Sequence, residues 1–202
     1  CLLDDEGLVL ASGASREPIS GLHETSALLG GAARFQVRNA LAAVAAGVAM
    51  DFSLEQLRAG LAAVGERDPL RLGRGTSVAS AGLRAIFDRV PDLPALESLV
   101  ETAADLPAER RRLLVGERDG IHGAAWNQVI DRIELESVWL SPGPGREALA
   151  LELAGRGVTL QCRPTEHIAL EDMLAEGAAG DSILALRMEA EVRAIERVAE
   201  FG

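Results

Sequence analysis

Five short apolar runs recur between residues 83 and 188 with helix-length amphipathic segments between them: "LRAIFD" (83–88), "RRLLVG" (111–116), "SVWLS" (137–141), "VTLQC" (158–162) and "SILALRM" (182–188). Strands buried on both faces read as near-continuous apolar runs, and parallel neighbours must be joined by a crossover of helical length. The alternation therefore predicts βαβ units and a largely parallel sheet covered on both faces, a Rossmann-like α/β domain. The predicted helices are 92–106, 120–131, 145–155 and 166–176, with 189–200 after the last strand. Gly157 and Gly177 stand where helices 145–155 and 166–176 stop, and Asp181 opens the last strand.

The first third of the chain reads differently. "GLVLAS" (7–12) alternates as a short strand, and the polar stretch 13–26 is expected to be a loop. From Asn39 to Met50 the residues are apolar nearly all round, which predicts a helix buried on most sides. In "SLEQLRAGLAAV" (53–64), Leu54, Leu57, Leu61 and Val64 recur at helical spacing, with Ser53 as N-cap and Gln56 as its capping-box partner. Residues 65–75, "GERDPLRLGRG", crowd Gly, Pro and charge into a linker. The expected organisation is a helical pair ending one domain at 1–67 and an α/β domain over 68–202.

Composition narrows the function. The chain of 202 residues carries a net charge of −11, and all twenty basic residues are arginine. That balance argues against a nucleic-acid surface, whose affinity comes largely from basic side chains. The run Arg110, Arg111, Arg112 is expected to be a solvated edge, with an anion site as the alternative. Without lysine there is no G-x-x-x-x-G-K-[ST] phosphate loop, and there is no G-x-S-x-G nucleophile motif. His23, His122 and His167 lack metal-ligand spacing, so no metal site is expected. Two cysteines, Cys1 and Cys162, are too few for a disulfide framework and point to a reducing cytoplasm. No apolar stretch is long enough for a membrane span, and no signal peptide is visible. The initial Cys1 reads as the boundary of a fragment or processed piece. Open α/β sheets place ligands at the carboxyl ends of their strands. Asp88 stands at such an end, as do Glu117, Arg118 and Asp119 in "VGERDG", and "GPGRE" (143–147) reads as a strand-to-helix turn.

Residues 30–64, "GGAARFQVRNALAAVAAGVAMDFSLEQLRAGLAAV", resemble the stretch joining the central and C-terminal domains of the Mur ligase superfamily, with the likeness strongest to cyanophycin synthetase. "DPLR" (68–71), "FDRVPDLPAL" (87–96) and "LLVGERDG" (113–120) follow in that family's order at similar separations. The resemblance implies a Rossmann-like C-terminal ligase domain preceded by a helical segment from the end of the central ATPase domain. It implies closure over ATP and Mg²⁺ held mainly by an upstream domain, and positioning of an amino-acid or peptide amine. Residue by residue, Asn39 resembles the family's adenine-contacting Asn, Arg71 the Arg of its Pro-Gly-Arg element, and Asp88 its ribose-contacting Asp. No catalytic residue and no metal ligand carries over, so the chain by itself is expected to be inactive. Departures are Leu70 for the Gly before Arg71, Pro91 and Asp92 for His-Asn, and the lost glycines preceding the 116–120 loop. Three readings follow: the C-terminal portion of a bacterial, cytoplasmic ATP-dependent amide ligase whose partner is the remainder of that ligase; a degenerate interaction or homo-oligomerisation domain; or a free-standing nucleotide- or acid-binding domain.

Overall fold

The computed structural model describes residues 1–5, 7–64, 76–88, 90, 92–116, 126, 130–143 and 146–186. Arg71, the linker 65–75, the "ERD" of 117–119, most of 120–131 and all of 189–200 lie outside the described residues. The chain divides into two compact units, Cys1–Asp68 and Pro69–Gly202.

In the first unit, β1 (Leu2–Asp4), β2 (Gly7–Ser12) and β3 (Ser15–Gly21) form an antiparallel sheet in that order. β3 corrects the expectation of a loop over 13–26. Of its residues only Ile19 is buried, so it carries no apolar alternation, and its strand character comes from pairing with β2. A 3-10 helix (Ser26–Gly31) leads into α1 (Arg34–Ala49), which starts five residues earlier than expected. The Gly30–Gly31 pair makes this corner, with φ of 65° and 94°, where a side chain would be strained.

α2 (Leu54–Ala62) opens on the predicted capping box: Ser53 Oγ accepts from Gln56 N at 3.2 Å, and Gln56 Oε1 accepts from Ser53 N at 2.8 Å. Val64 falls beyond its end and is exposed. The core joins Leu8, Ile19 and Leu28 to Val37 and Val44 of α1 and Leu57 and Leu61 of α2. α1 is not buried on most sides. It buries the single stripe Val37, Ala40, Val44 and Gly47, and its remaining alanines other than Ala40 are exposed. Alanine suits either environment, so an all-apolar pattern built mostly from it does not determine burial.

In the second unit the sheet order is β4-β5-β9-β6-β7-β8. Its strands are β4 (Thr76–Ser80), β5 (Leu83–Asp88), β6 (Arg111–Val115), β7 (Ser137–Leu140), β8 (Thr159–Cys162) and β9 (Ser182–Leu186). The five predicted strands are mutually parallel, and β4 adds an antiparallel edge to β5 through the tight turn Ala81–Gly82. β9 lies between β5 and β6 and is buried along its whole length.

α3 (Leu93–Asp105), α4 (Arg146–Ala154) and α5 (Glu166–Ala175) supply the crossovers that are described. Asp92, at one of the positions that depart from the Mur pattern, is the N-cap of α3: its Oδ1 accepts from Ala95 N at 2.9 Å. α5 packs Ala169, Leu170, Met173 and Leu174 onto Leu83, Phe87, Leu114, Trp139 and Ile183.

Candidate functional site

Because β5, β9, β6, β7 and β8 are parallel, their carboxyl ends line one edge of the sheet. Register places Asp88, Leu186, Val115, Leu140 and Cys162 side by side along it. The ladder continues one residue further. Gly116 N donates to Leu186 O at 3.3 Å, Ser141 N to Val115 O at 3.1 Å, and Arg163 N to Leu140 O at 2.9 Å.

Among the described residues two polar side chains are buried at this edge, Asp88 and Ser141. Asp88 occupies the last position of β5, and a buried carboxylate there is an acceptor suited to hydroxyl donors on a ligand. Ser141, whose Oγ is 3.4 Å from Val115 O, precedes the Pro142–Gly143 turn toward α4. Sequence reasoning assigned Ser141 only to a strand. Its position directly after a buried apolar run, before Pro-Gly, was the available signal. Arg163 is held at the outer end of the edge, stacked on Trp139 at 4.6 Å and bonded to Asp172.

The other predicted positions fall elsewhere. Asn39 is exposed on α1 of the first unit, its Nδ2 donating to Gln36 Oε1 at 3.2 Å. Asn39 and Asp88 therefore belong to different units, and Arg71 lies outside the described residues. Among the described residues no group of three His, Cys, Asp or Glu side chains is placed to hold a metal ion. His167 pairs with Glu171 one helical turn away, and Cys1 and Cys162 are free thiols. None of the described helices is long and apolar enough to cross a membrane.

The arginine run is only in part a solvated edge: the Arg110 side chain stays 38% exposed, while Arg112 is buried. Successive residues of a strand point to opposite faces, and β6 uses this to serve both layers of helices. Arg111 donates to Ala103 O and Leu106 O at the C-terminus of α3. Arg112, only 3% exposed, donates to Met173 O and Glu176 O at the C-terminus of α5, each at 3.0 Å. Both therefore satisfy carbonyls that a helix end leaves without partners, where positive charge also complements the helix dipole.

Arg110 meets Asp181 with two bonds, Nε to Oδ1 at 2.8 Å and Nη2 to Oδ2 at 2.7 Å. Glu136 bridges Arg110 and Arg112. Burial pushes the Asp181 carboxyl up. The Arg110 hydrogen bonds, the Ala178 N–H and the charges of Arg110 and Arg112 outweigh it and hold the carboxyl below its usual range.

No protein-family model matches this sequence, and no curated protein sequence is significantly similar to it. Solved structures are similar. MurF ligase from Thermotoga maritima in complex with ADP superposes with a TM-score of 0.59 at 15% identity, over 82% of this chain and 38% of that one. The parallel sheet and flanking helices of this chain share the fold of the Mur ligase C-terminal domain. FolC from E. coli in complex with ADP gives 0.58 at 22% identity, over 79% of this chain and 38% of FolC. The UDP-N-acetylmuramate-alanine ligase MurC from T. maritima gives 0.57 at 13% identity, over 82% and 37%. The chain thus spans little more than a third of these Mur-type ligases.

Proposed function

We propose that this chain is the C-terminal portion of an ATP-dependent amide ligase that closes over a nucleotide and positions an amino-acid or peptide amine. The observation that carries this reading is a buried carboxylate, Asp88, at the ligand edge of a sheet whose fold is shared with MurF and FolC, both solved with ADP. Asp88 would accept from the ribose hydroxyls, Asn39 would contact adenine, and Arg71 would stand near the nucleotide. In such a ligase, ATP transfers its γ-phosphoryl group to a substrate carboxylate and ADP leaves. The amine nitrogen then attacks the acyl carbon, phosphate departs, and the amine proton is lost.

This chain's contribution is to bind the nucleotide, orient the amine and keep water from the acyl-phosphate, a role common to mobile domains. Mg²⁺ and the phosphate-binding loop would come from the remainder of the ligase. A cyanophycin synthetase-like polymer of amino acids is the finer assignment, supported by the likeness of residues 30–64.

The test is steady-state kinetics of the full-length gene product carrying Asn39→Ala, Arg71→Ala or Asp88→Asn. Each loses one hydrogen bond to the nucleotide, so the KM for ATP should rise about tenfold while the KM for the amine changes little. An unchanged KM for ATP in all three variants would refute the assigned roles and favour a non-catalytic interaction domain.

A further inference from the structure

Ser182 opens β9 at the amino end of the parallel sheet. Only 3% of the residue is exposed, and its hydroxyl is sealed in the interior without a hydrogen-bond partner. Buried hydroxyls in folded proteins are with few exceptions bonded, so an orphaned one marks a place where a partner belongs. Register identifies its neighbours. Ser182 pairs with Arg84 of β5 on one side and with Arg111 of β6 on the other.

In-register residues of adjacent strands share a face, and neighbouring strands lie about 4.8 Å apart. Arginine, serine and arginine therefore form one row on the α3 side of the sheet, the two arginine Cα atoms roughly 10 Å apart. Arg111 is held in place by Ala103 O and Leu106 O, which leave part of its guanidinium without a partner. Arg84 is half-buried, and among the described residues its guanidinium makes no hydrogen bond or ion pair, in a chain with 31 acidic and 20 basic residues. Asp181, next to Ser182 in sequence, is committed to Arg110 and Arg112.

We propose that this row binds a small oxyanion, a carboxylate or a phosphate group, between Arg84 and Arg111 with Ser182 Oγ–H as a third donor. Guanidinium groups only donate, so the ligand is an acceptor, and their charge makes it an anion; their planar forks match the oxygens of carboxylate and phosphate. The net charge of −11 disfavours a polyanion, which leaves a single small group. Solvent reaches the row from the side of the half-buried arginines, and the ligand enters there. Arg84 stands four residues before Asp88, at the opposite end of β5, so the site is separate from the nucleotide reading.

The experiment is a proton–nitrogen NMR titration of the whole chain with inorganic phosphate, and separately with acetate, at an ionic strength held constant with sodium chloride. It is run on wild type, Arg84→Gln and Ser182→Ala. Saturable shifts confined to the amides around Arg84, Arg111 and Ser182 are expected with at least one anion, and the anion that saturates identifies the group as phosphate or carboxylate. Arg84→Gln should weaken that binding about tenfold, the loss of one charge-assisted hydrogen bond, and Ser182→Ala should weaken it as well. No saturation by either anion up to about 10 mM would overturn the proposal. So would equal binding by Arg84→Gln, or shifts spread over the exposed arginines, which would mean general screening of charge. Neither side chain makes a bond that the fold needs, so both variants should keep the wild-type urea midpoint. A lower midpoint for Ser182→Ala would show that the hydroxyl has a partner inside the protein, and would likewise overturn the site.

Discussion

Arg112→Met removes a buried guanidinium while keeping a side chain of similar length. Two helix-end carbonyls, Met173 O and Glu176 O, then lose their charged donor, at about 1–3 kcal/mol for each buried group left unsatisfied. Glu136 is 40% exposed and regains water, so its lost bond adds little. Asp181 keeps Arg110 and the Ala178 N–H and adds a smaller term for the lost 3.5 Å pair with Arg112.

The sum is about 3–5 kcal/mol, the range seen when one member of a buried ion pair is removed. Both tryptophans, Trp126 and Trp139, belong to the second unit, so their fluorescence follows the unit that contains Arg112. With a urea m-value of about 2 kcal/mol/M, the midpoint should fall by about 2 M at constant m. Arg132→Met serves as the control, because its partners Glu97 and Glu101 are solvent-accessible and its cost should be below about 1 kcal/mol. A midpoint shift for Arg112→Met no larger than that of Arg132→Met would refute the view that buried arginine caps hold α5 to the sheet.

Asp181 should make the second unit acid-sensitive. Its carboxyl titrates lower in the folded chain than in the unfolded one, so its stabilisation is complete above the unfolded value near pH 4 and disappears as the pH falls through the folded value. Urea midpoints measured from pH 7 to pH 3 should therefore drop more steeply in wild type than in Asp181→Asn; parallel curves would contradict this. Ser53→Ala removes half of a capping box and should cost about 1 kcal/mol, read as a lower thermal midpoint of the circular dichroism signal. Gly7→Ala places a Cβ against Ser20 O at a φ of 141°. That strain, of about 1–3 kcal/mol or more with the steric clash, should open the first unit to proteolysis at Arg16 while the tryptophan signal of the second unit stays unchanged.

The strands of the parallel sheet were legible because burial on both faces forces continuous apolar runs, as in "LRAIFD" and "SILAL". The capping box at Ser53 was legible because a cap is a local bond between residues three apart. β3 and β4 were not. "SREPISG" and "TSVAS" are edge strands with little apolar signal, and they exist because β2 and β5 offer them a ladder. Asp88 could be placed at the carboxyl end of a strand from the sequence alone, whereas the neighbours beside it along that edge depend on strand order, and β9 enters between β5 and β6 only in three dimensions.

The arginine run shows where local information ends. Three adjacent charges look like a solvated edge in one dimension, and strand geometry sends Arg111 and Arg112 to opposite faces, each to the end of a different helix. The sequence by itself determined the fold class and the positions of the buried strands, because periodicity and burial are local demands on the chain. Tertiary structure alone decided which charges are buried and which face of the alanine-rich α1 is covered, because those outcomes depend on partners distant in sequence.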